Sequence, residues 1–148
     1  MKKIFILFIL FFNIFTNYAN NTKKDCFINL DADEFYVAIN TQEVFLIDVR
    51  LFREYRKNRI ESALLAANKE SLFSLCEKLD HNTPIYLYCE DGERSKTAAE
   101  ILCNELGFTK IYNLKGGLRQ WTKKYPLDKS RINKEPGKLS YNYKLTII

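Results

Sequence analysis

The chain has 148 residues, of which 47% are hydrophobic and 28% charged, enough for one domain around a single core. Its formal charge is +5, but residues 1–19 hold Lys2 and Lys3 and no acid, so the remainder carries 21 basic against 18 acidic residues, or +3. Acids and bases are interleaved and no basic stripe with spaced aromatics appears, so nothing supports a nucleic-acid partner. The four cysteines, Cys26, Cys76, Cys89 and Cys103, form no C-x-x-C pair and no cysteine/histidine cluster of the kind that binds zinc. His81, the only histidine, lies in the turn-like stretch KLDHNTP and reads as a solvated loop residue rather than half of a Cys–His catalytic pair.

In chain order, residues 1–19 come first. MKK precedes IFILFILFF, and Ala19 follows as a small residue near a cleavage position, the pattern of a secretory signal peptide. The apolar run is too short to span a bilayer comfortably. Asn17 stands where a small residue is preferred, so an uncleaved N-terminal anchor is the alternative. The expectation is therefore export, to a periplasmic or extracellular site, where disulfides can form; a membrane is involved only if the segment stays on.

CFINL (Cys26–Leu30) reads as a short strand, and Asp31 or Asp33 can cap a helix through EFYVAIN. VFLIDV (Val44–Val49) is a nearly continuous apolar run, expected of a strand buried on both faces. The charged RLFREYRKNRI follows, then ALLAA (Ala63–Ala67) as a weak strand, and KESLFSLCEKL as a helix with Leu72, Leu75, Cys76 and Leu79 on one face. PIYLY is a strand with Pro84 at its first position, where a missing N–H is tolerated. SKTAAEILCNELG is a helix closed by Gly107, KIYNL a further strand, and KGGLRQWTKKYP a glycine turn, a short helix and a proline stop. Strands alternating with helices predict an α/β fold with about five strands, mostly parallel, and helices on both faces. Beyond Asp128, Tyr141, Tyr143, Leu145 and Ile147 alternate with polar residues, predicting one more strand in a C-terminal extension, 128–148.

The stretch IYLYCEDGERSKTAAEIL joins a buried strand to a helix through one cysteine. Open α/β sheets bind ligands beyond the carboxyl ends of their strands, and Cys89 sits at such an end. The loop then feeds a helix start, with its unpaired N–H groups and partial positive charge. Successive N–H groups around one sulfur stabilise a thiolate. Gly92 permits the tight turn, and Arg94 adds a permanent charge with fork-like donors for an anion. Two chemistries remain open on spacing alone, sulfur transfer and phosphoester cleavage. Cys76 and Cys103, on apolar helix faces, read as inert core residues.

With these residues in order, the chain resembles a single-domain rhodanese, a sulfurtransferase. LIDVR (Leu46–Arg50) resembles the family's strand-end motif, EYRKNRIESA (Glu54–Ala63) the segment after it, CEDGERS the six-residue active-site loop from Cys89 to Arg94, and LKGGLRQW with Pro126 the closing motif. The likeness covers about residues 25–127 and implies a five-stranded parallel sheet flanked by helices. It implies Cys89 as the sulfur-accepting nucleophile, with Arg94 helping to hold the anion. The backbone of Glu90, Asp91, Gly92, Glu93 and Ser95 would form the cradle, and Asp48 and Arg50 would support the pocket or form its rim. Gly116 and Gly117 would shape a turn above Trp121, itself read as core. The chain departs from the family pattern at Asn58-Arg59, which stand where Gly-His is usual. Ser62 stands where a glycine is usual, and LLAAN replaces the expected asparagine-rich turn.

The resemblance implies a monomer without metal or organic cofactor. It would move sulfane sulfur from thiosulfate or a persulfide, including a protein persulfide, to a thiol or cyanide through a persulfide on Cys89. A non-enzymatic persulfide carrier or redox-sensing module would use the same loop. A cysteine phosphatase is disfavoured, because its loop has five residues between Cys and Arg where this chain has four, Glu90 to Glu93.

Overall fold

The computed structural model describes residues 26–127. The N-terminal apolar segment and the expected strand near Tyr141–Ile147 lie outside these residues. Five strands, β1 (Ile28–Leu30), β2 (Phe45–Asp48), β3 (Leu64–Leu65), β4 (Ile85–Tyr88) and β5 (Ile111–Leu114), form one sheet in the order β1-β5-β4-β2-β3. Every pairing is parallel, so the expected mostly parallel sheet is in fact entirely parallel. Five helices connect and follow the strands: α1 (Ala32–Thr41), α2 (Phe52–Lys57), α3 (Lys69–Cys76), α4 (Glu93–Asn104) and α5 (Gly117–Trp121).

The side-chain period of two sorts the strands into two cores. Phe45 and Ile47 of β2 and Ile85 and Leu87 of β4 face Leu72 and Cys76 of α3 and Ala98, Ala99 and Leu102 of α4. The alternate residues Leu46, Tyr86 and Tyr88 face Phe35 of α1 and Leu118 and Trp121 of α5. Tyr86 and Phe35 meet edge to face at 5.3 Å, and Phe35 meets Trp121 in the same way at 6.1 Å. Trp121 is thus core, as the sequence suggests. Both central strands are buried along their whole length, which is why they read as continuous apolar runs.

Local signals account for the helix starts. Asp31 caps α1: its Oδ1 accepts from the Asp33 and Glu34 N–H groups at 2.9 Å, while Glu34 reaches back to the Asp31 N–H. Asn68 and Ser71 cap α3 reciprocally. The charged stretch after β2 is itself a helix, α2, whose Glu54 accepts the Leu51 N–H at 2.9 Å.

One cysteine reading is corrected. Cys103 is not an inert core thiol: it forms a disulfide with Cys26, with Cα atoms 6.2 Å apart. The bond ties the segment entering β1 to the last turn of α4. A helix-face pattern reports only that Cys103 points inward, and its partner lies 77 residues away in sequence. Cys76 and Cys89 are free and buried. Burial pushes the Cys76 thiol up to about 12, so its inert reading stands.

Candidate active site

Cys89 continues the parity of Ile85 and Leu87, one residue past the end of β4, and is fully buried. The chain then turns through Glu90 and Asp91 to Gly92, the N-cap of α4, with φ 93° and ψ −9°. That left-handed conformation suits glycine, and a Cβ there would come within 3.0 Å of the Gly116 nitrogen and 3.1 Å of the Leu114 oxygen. Helix α4 begins at Glu93, two residues before the start expected near Ser95.

Around the sulfur the geometry is specific. The Gly92 N–H donates to Cys89 Sγ at 3.1 Å. Ser95 Oγ lies 3.5 Å from the sulfur and also donates to the Gly92 carbonyl at 3.1 Å. Asp91 Oδ1 accepts from Cys89 Sγ at 3.6 Å and from the Glu93 N–H at 3.2 Å. One N–H of the expected ring is therefore turned onto a carboxylate. The Glu93 N–H first, and then the contact with Cys89, hold the Asp91 carboxyl below its usual range, so it stays anionic beside the sulfur.

The loop rests on a second glycine turn. Gly116 and Gly117 both have positive φ, 74° and 57°. A Cβ on Gly117 would lie 2.6 Å from the Cys89 oxygen and 2.7 Å from the Asp91 nitrogen. The first turn of α5 uses that closeness: Leu118 N–H donates to the Cys89 carbonyl and Arg119 N–H to the Glu90 carbonyl, each at 3.0 Å. From the side, buried Asn113 of β5 donates to Asn29 Oδ1 at 2.7 Å and reaches the Gly92 carbonyl at 3.4 Å.

Asp48 and Arg50 form a buried unit under the loop. Arg50 grips both Asp48 oxygens, with Nη2 to Oδ2 at 2.8 Å, and donates to the Asn58 carbonyl at 2.6 Å. Its Nη1 also lies 3.6 Å from Glu90 Oε2. Arg50 is only 2% exposed and Asp48 not at all, so this pair braces the loop and the end of α2 rather than lining an open rim. Asn58, one of the departures from the family pattern, is thus the acceptor that receives Arg50.

Arg94 does not stand free above the sulfur. Its two terminal nitrogens donate to the two Glu54 oxygens, each at 3.0 Å, in a fork-to-fork pair. Hydrogen bonding from Arg94 brings the Glu54 carboxyl down from 4.5 to about 2. The acids around the loop are partly matched: Glu93 pairs with Lys96 at 2.8 Å and Glu90 with Arg50. The structure therefore brings Cys89, Glu90, Asp91, Gly92, Glu93, Arg94 and Ser95 together, with Asp48 and Arg50 directly beneath. Sequence reasoning missed Glu54 and Asn113 as neighbours of the site. Glu54 was visible only as the start of a motif; Asn113 was a polar residue at a buried position of a strand, a signal that asks for a partner. Among the described residues no group of three or more histidine, cysteine or acidic side chains could hold a metal ion.

A parallel sheet whose central strand runs into a buried cysteine, followed by a six-residue loop and a helix start, defines an α/β domain with its cysteine at the carboxyl end of the sheet, where open α/β folds place their ligands. Residues 31–124 match the rhodanese-like domain family, and the chain belongs to it. It is 30% identical over 89 residues to a thiosulfate sulfurtransferase, GlpE, of Pseudomonas savastanoi pv. phaseolicola, a match covering 60% of this chain and 82% of that protein. Among solved structures, a rhodanese-like domain protein of Staphylococcus aureus superposes with a TM-score of 0.58 at 23% identity, covering 70% of this chain and 98% of that one. The rhodanese-like domain of an Anabaena protein gives 0.62 at 24% identity, covering 77% and 89%. These two likenesses speak for the fold.

Proposed function

We propose that the protein is a sulfurtransferase that carries sulfane sulfur on Cys89. The observation that supports this reading most is the Gly92 N–H aimed at Cys89 Sγ inside a loop with four residues between Cys89 and Arg94. In the first half-reaction the Cys89 thiolate attacks the outer sulfur of a donor such as thiosulfate. A new S–S bond forms, the donor's S–S bond breaks, and sulfite leaves with the electron pair. In the second, a thiol or cyanide attacks the outer sulfur of the persulfide, and the pair returns to Cys89. One covalent intermediate shared by two half-reactions gives ping-pong kinetics. The Gly92 N–H steadies the charge on sulfur in both, and the Ser95 hydroxyl, 3.5 Å away, can turn from the Gly92 carbonyl to the charged sulfur.

The charge around the loop bears on the donor. Arg94 is occupied by Glu54, and the Asp91 carboxylate lies 3.6 Å from the sulfur. This favours a donor less anionic than thiosulfate, such as a small-molecule or protein persulfide. We further propose that the protein works outside the cytoplasm; the Cys26–Cys103 disulfide agrees with an oxidising compartment. The test is mass spectrometry of the protein after incubation with thiosulfate, glutathione persulfide or an aryl phosphate, followed by turnover with cyanide. A sulfur adduct on Cys89 and thiocyanate release are expected. Phosphate release without a sulfur adduct would refute the reading.

A further inference from the structure

At the opposite end of the sheet from Cys89, the start of β2, the start of β4 and the turn into β3 surround a groove of about 800 Å³. Its walls come from α1 and from the residues after α5, with Tyr36, Ile39, Val44 and Trp121 supplying apolar surface. Glu43 and Glu61, both exposed, line it as well. Nothing in the sulfur chemistry uses this place.

The course of the chain after α5 bears on what fills it. Tyr125 stacks flat on Tyr36 with ring centres 4.1 Å apart, and its hydroxyl donates to Asp33 Oδ1 at 2.6 Å. Lys124 pairs with the other Asp33 oxygen, and the Pro126 carbonyl accepts from Trp121 Nε1 at 3.2 Å. Residues 124–126 are thus pinned to α1, and Tyr125 and Pro126 themselves line the groove. Residues 128–148 continue from that rim. They hold Lys129, Arg131, Lys134, Lys138 and Lys144 against Asp128 and Glu135, a net positive charge opposite in sign to the carboxylates of Glu43 and Glu61. From Leu127 to Lys138 an extended chain reaches about 35 Å, more than the roughly 20 Å width of a five-stranded sheet. The segment is therefore long enough to reach any part of the groove.

We propose that this groove is the seat of the chain's own residues 138–148. Their alternating Tyr141, Tyr143, Leu145 and Ile147 lie along the apolar wall, and Lys138 and Lys144 come to Glu43 and Glu61. A period of two places all four apolar side chains on one side of an extended segment, and Tyr36, Ile39 and Val44 offer apolar surface in the groove to receive them. The exit pinned by Tyr125 makes the contact intramolecular, at a high effective concentration, so that a modest interface suffices. This inference is independent of the sulfur chemistry.

The test is zero-length carbodiimide cross-linking of the full chain, with peptide mapping of the monomer and dimer fractions and hydrogen exchange at residues 39–44. Cross-links from Lys138 or Lys144 to Glu43 or Glu61 within the monomer are expected. In the full-length variant Tyr141→Ser/Tyr143→Ser/Leu145→Ser/Ile147→Ser they should vanish, and exchange at 39–44 should quicken about 10-fold with β4 unchanged. If β4 exchange also quickens, the variant is unfolded and the wild-type cross-links decide. Wild type without such cross-links overturns the proposal. So do cross-links confined to a dimer, which would assign the groove to a second copy, or a co-purified small molecule found in the groove.

Discussion

Asp91→Asn should speed the reaction of Cys89 with thiosulfate. The substitution keeps the shape of the side chain, and an amide oxygen still accepts from Glu93 N–H, so the loop stays in place. What changes is one negative charge 3.6 Å from the sulfur that receives the donor. Two unit charges about 4 Å apart repel by about 1 kcal/mol under water-like screening and by more in a drier site. Asp91 is half-exposed, so the water-like figure governs, and thiosulfate brings two negative charges spread over a larger ion. Removing the repulsion should therefore lower the barrier by about 1–2 kcal/mol, a gain of roughly 5- to 30-fold in kcat/KM at low salt. At high ionic strength, where the screening length falls to about 3 Å, the gain should shrink to less than about 3-fold. A neutral organic persulfide should respond little at either salt. Glu90→Gln and Glu93→Gln should do less than Asp91→Asn, because each of those carboxylates already faces a cation. The assay is initial-rate sulfur transfer to cyanide across thiosulfate concentrations at two salt levels. An unchanged kcat/KM for Asp91→Asn at both would refute the electrostatic argument.

Cys89→Ser should abolish sulfur transfer and the sulfur adduct while leaving the circular-dichroism spectrum and melting temperature within a few degrees of wild type. Glu54→Gln should release Arg94 and lower KM for an anionic donor. Because the Glu54 carboxyl is depressed to about 2 in the folded chain, its pair with Arg94 contributes fully above about pH 4.5. That contribution fades as pH falls toward 2, and, with both groups partly exposed, it amounts to about 1 kcal/mol. Acid titration of stability should show this component in wild type and not in Glu54→Gln. Cys26→Ser should cost about 2–4 kcal/mol in urea unfolding, since a closed loop of 77-residue separation carries a chain-entropy ceiling near ~4.5 kcal/mol; reductant should do the same to wild type and nothing more to the variant. Gly117→Ala, with its Cβ 2.6 Å from the Cys89 oxygen, should displace the loop and cut turnover by at least about 10-fold, with a stability loss of about 1–3 kcal/mol.

Much of the fold was legible because its information is local. The β2 and β4 runs, the Asp31 cap, the proline before β4 and the two glycines at the start of α5 each act within a few residues. The same holds for the Cys89 loop, where spacing alone put sulfur, Gly92 and the helix start in register. What stayed hidden depends on residues far apart in sequence. Arg94 finds Glu54 40 residues away, and Cys103 finds Cys26 only when α4 packs beside the segment entering β1. Helix α2 was obscured because it is one and a half turns long and has no buried residue, so it carries no apolar stripe. Ser62 is a different case. It takes a left-handed φ of 64° where a glycine would be unstrained, and no periodicity reveals a backbone angle.

The lacing of Leu118 and Arg119 to the carbonyls of Cys89 and Glu90 has a consequence for how such a loop can change over time. A residue inserted between Cys89 and Arg94 would have to bulge away from the floor or push into Gly117, whose backbone already touches the loop. Either way two hydrogen bonds would shift register together. Loop length and the turn after β5 are therefore coupled, and lengthening one without rebuilding the other would misalign both. Swapping both segments as a single cassette between relatives with different loops is the route by which a working site would survive the change.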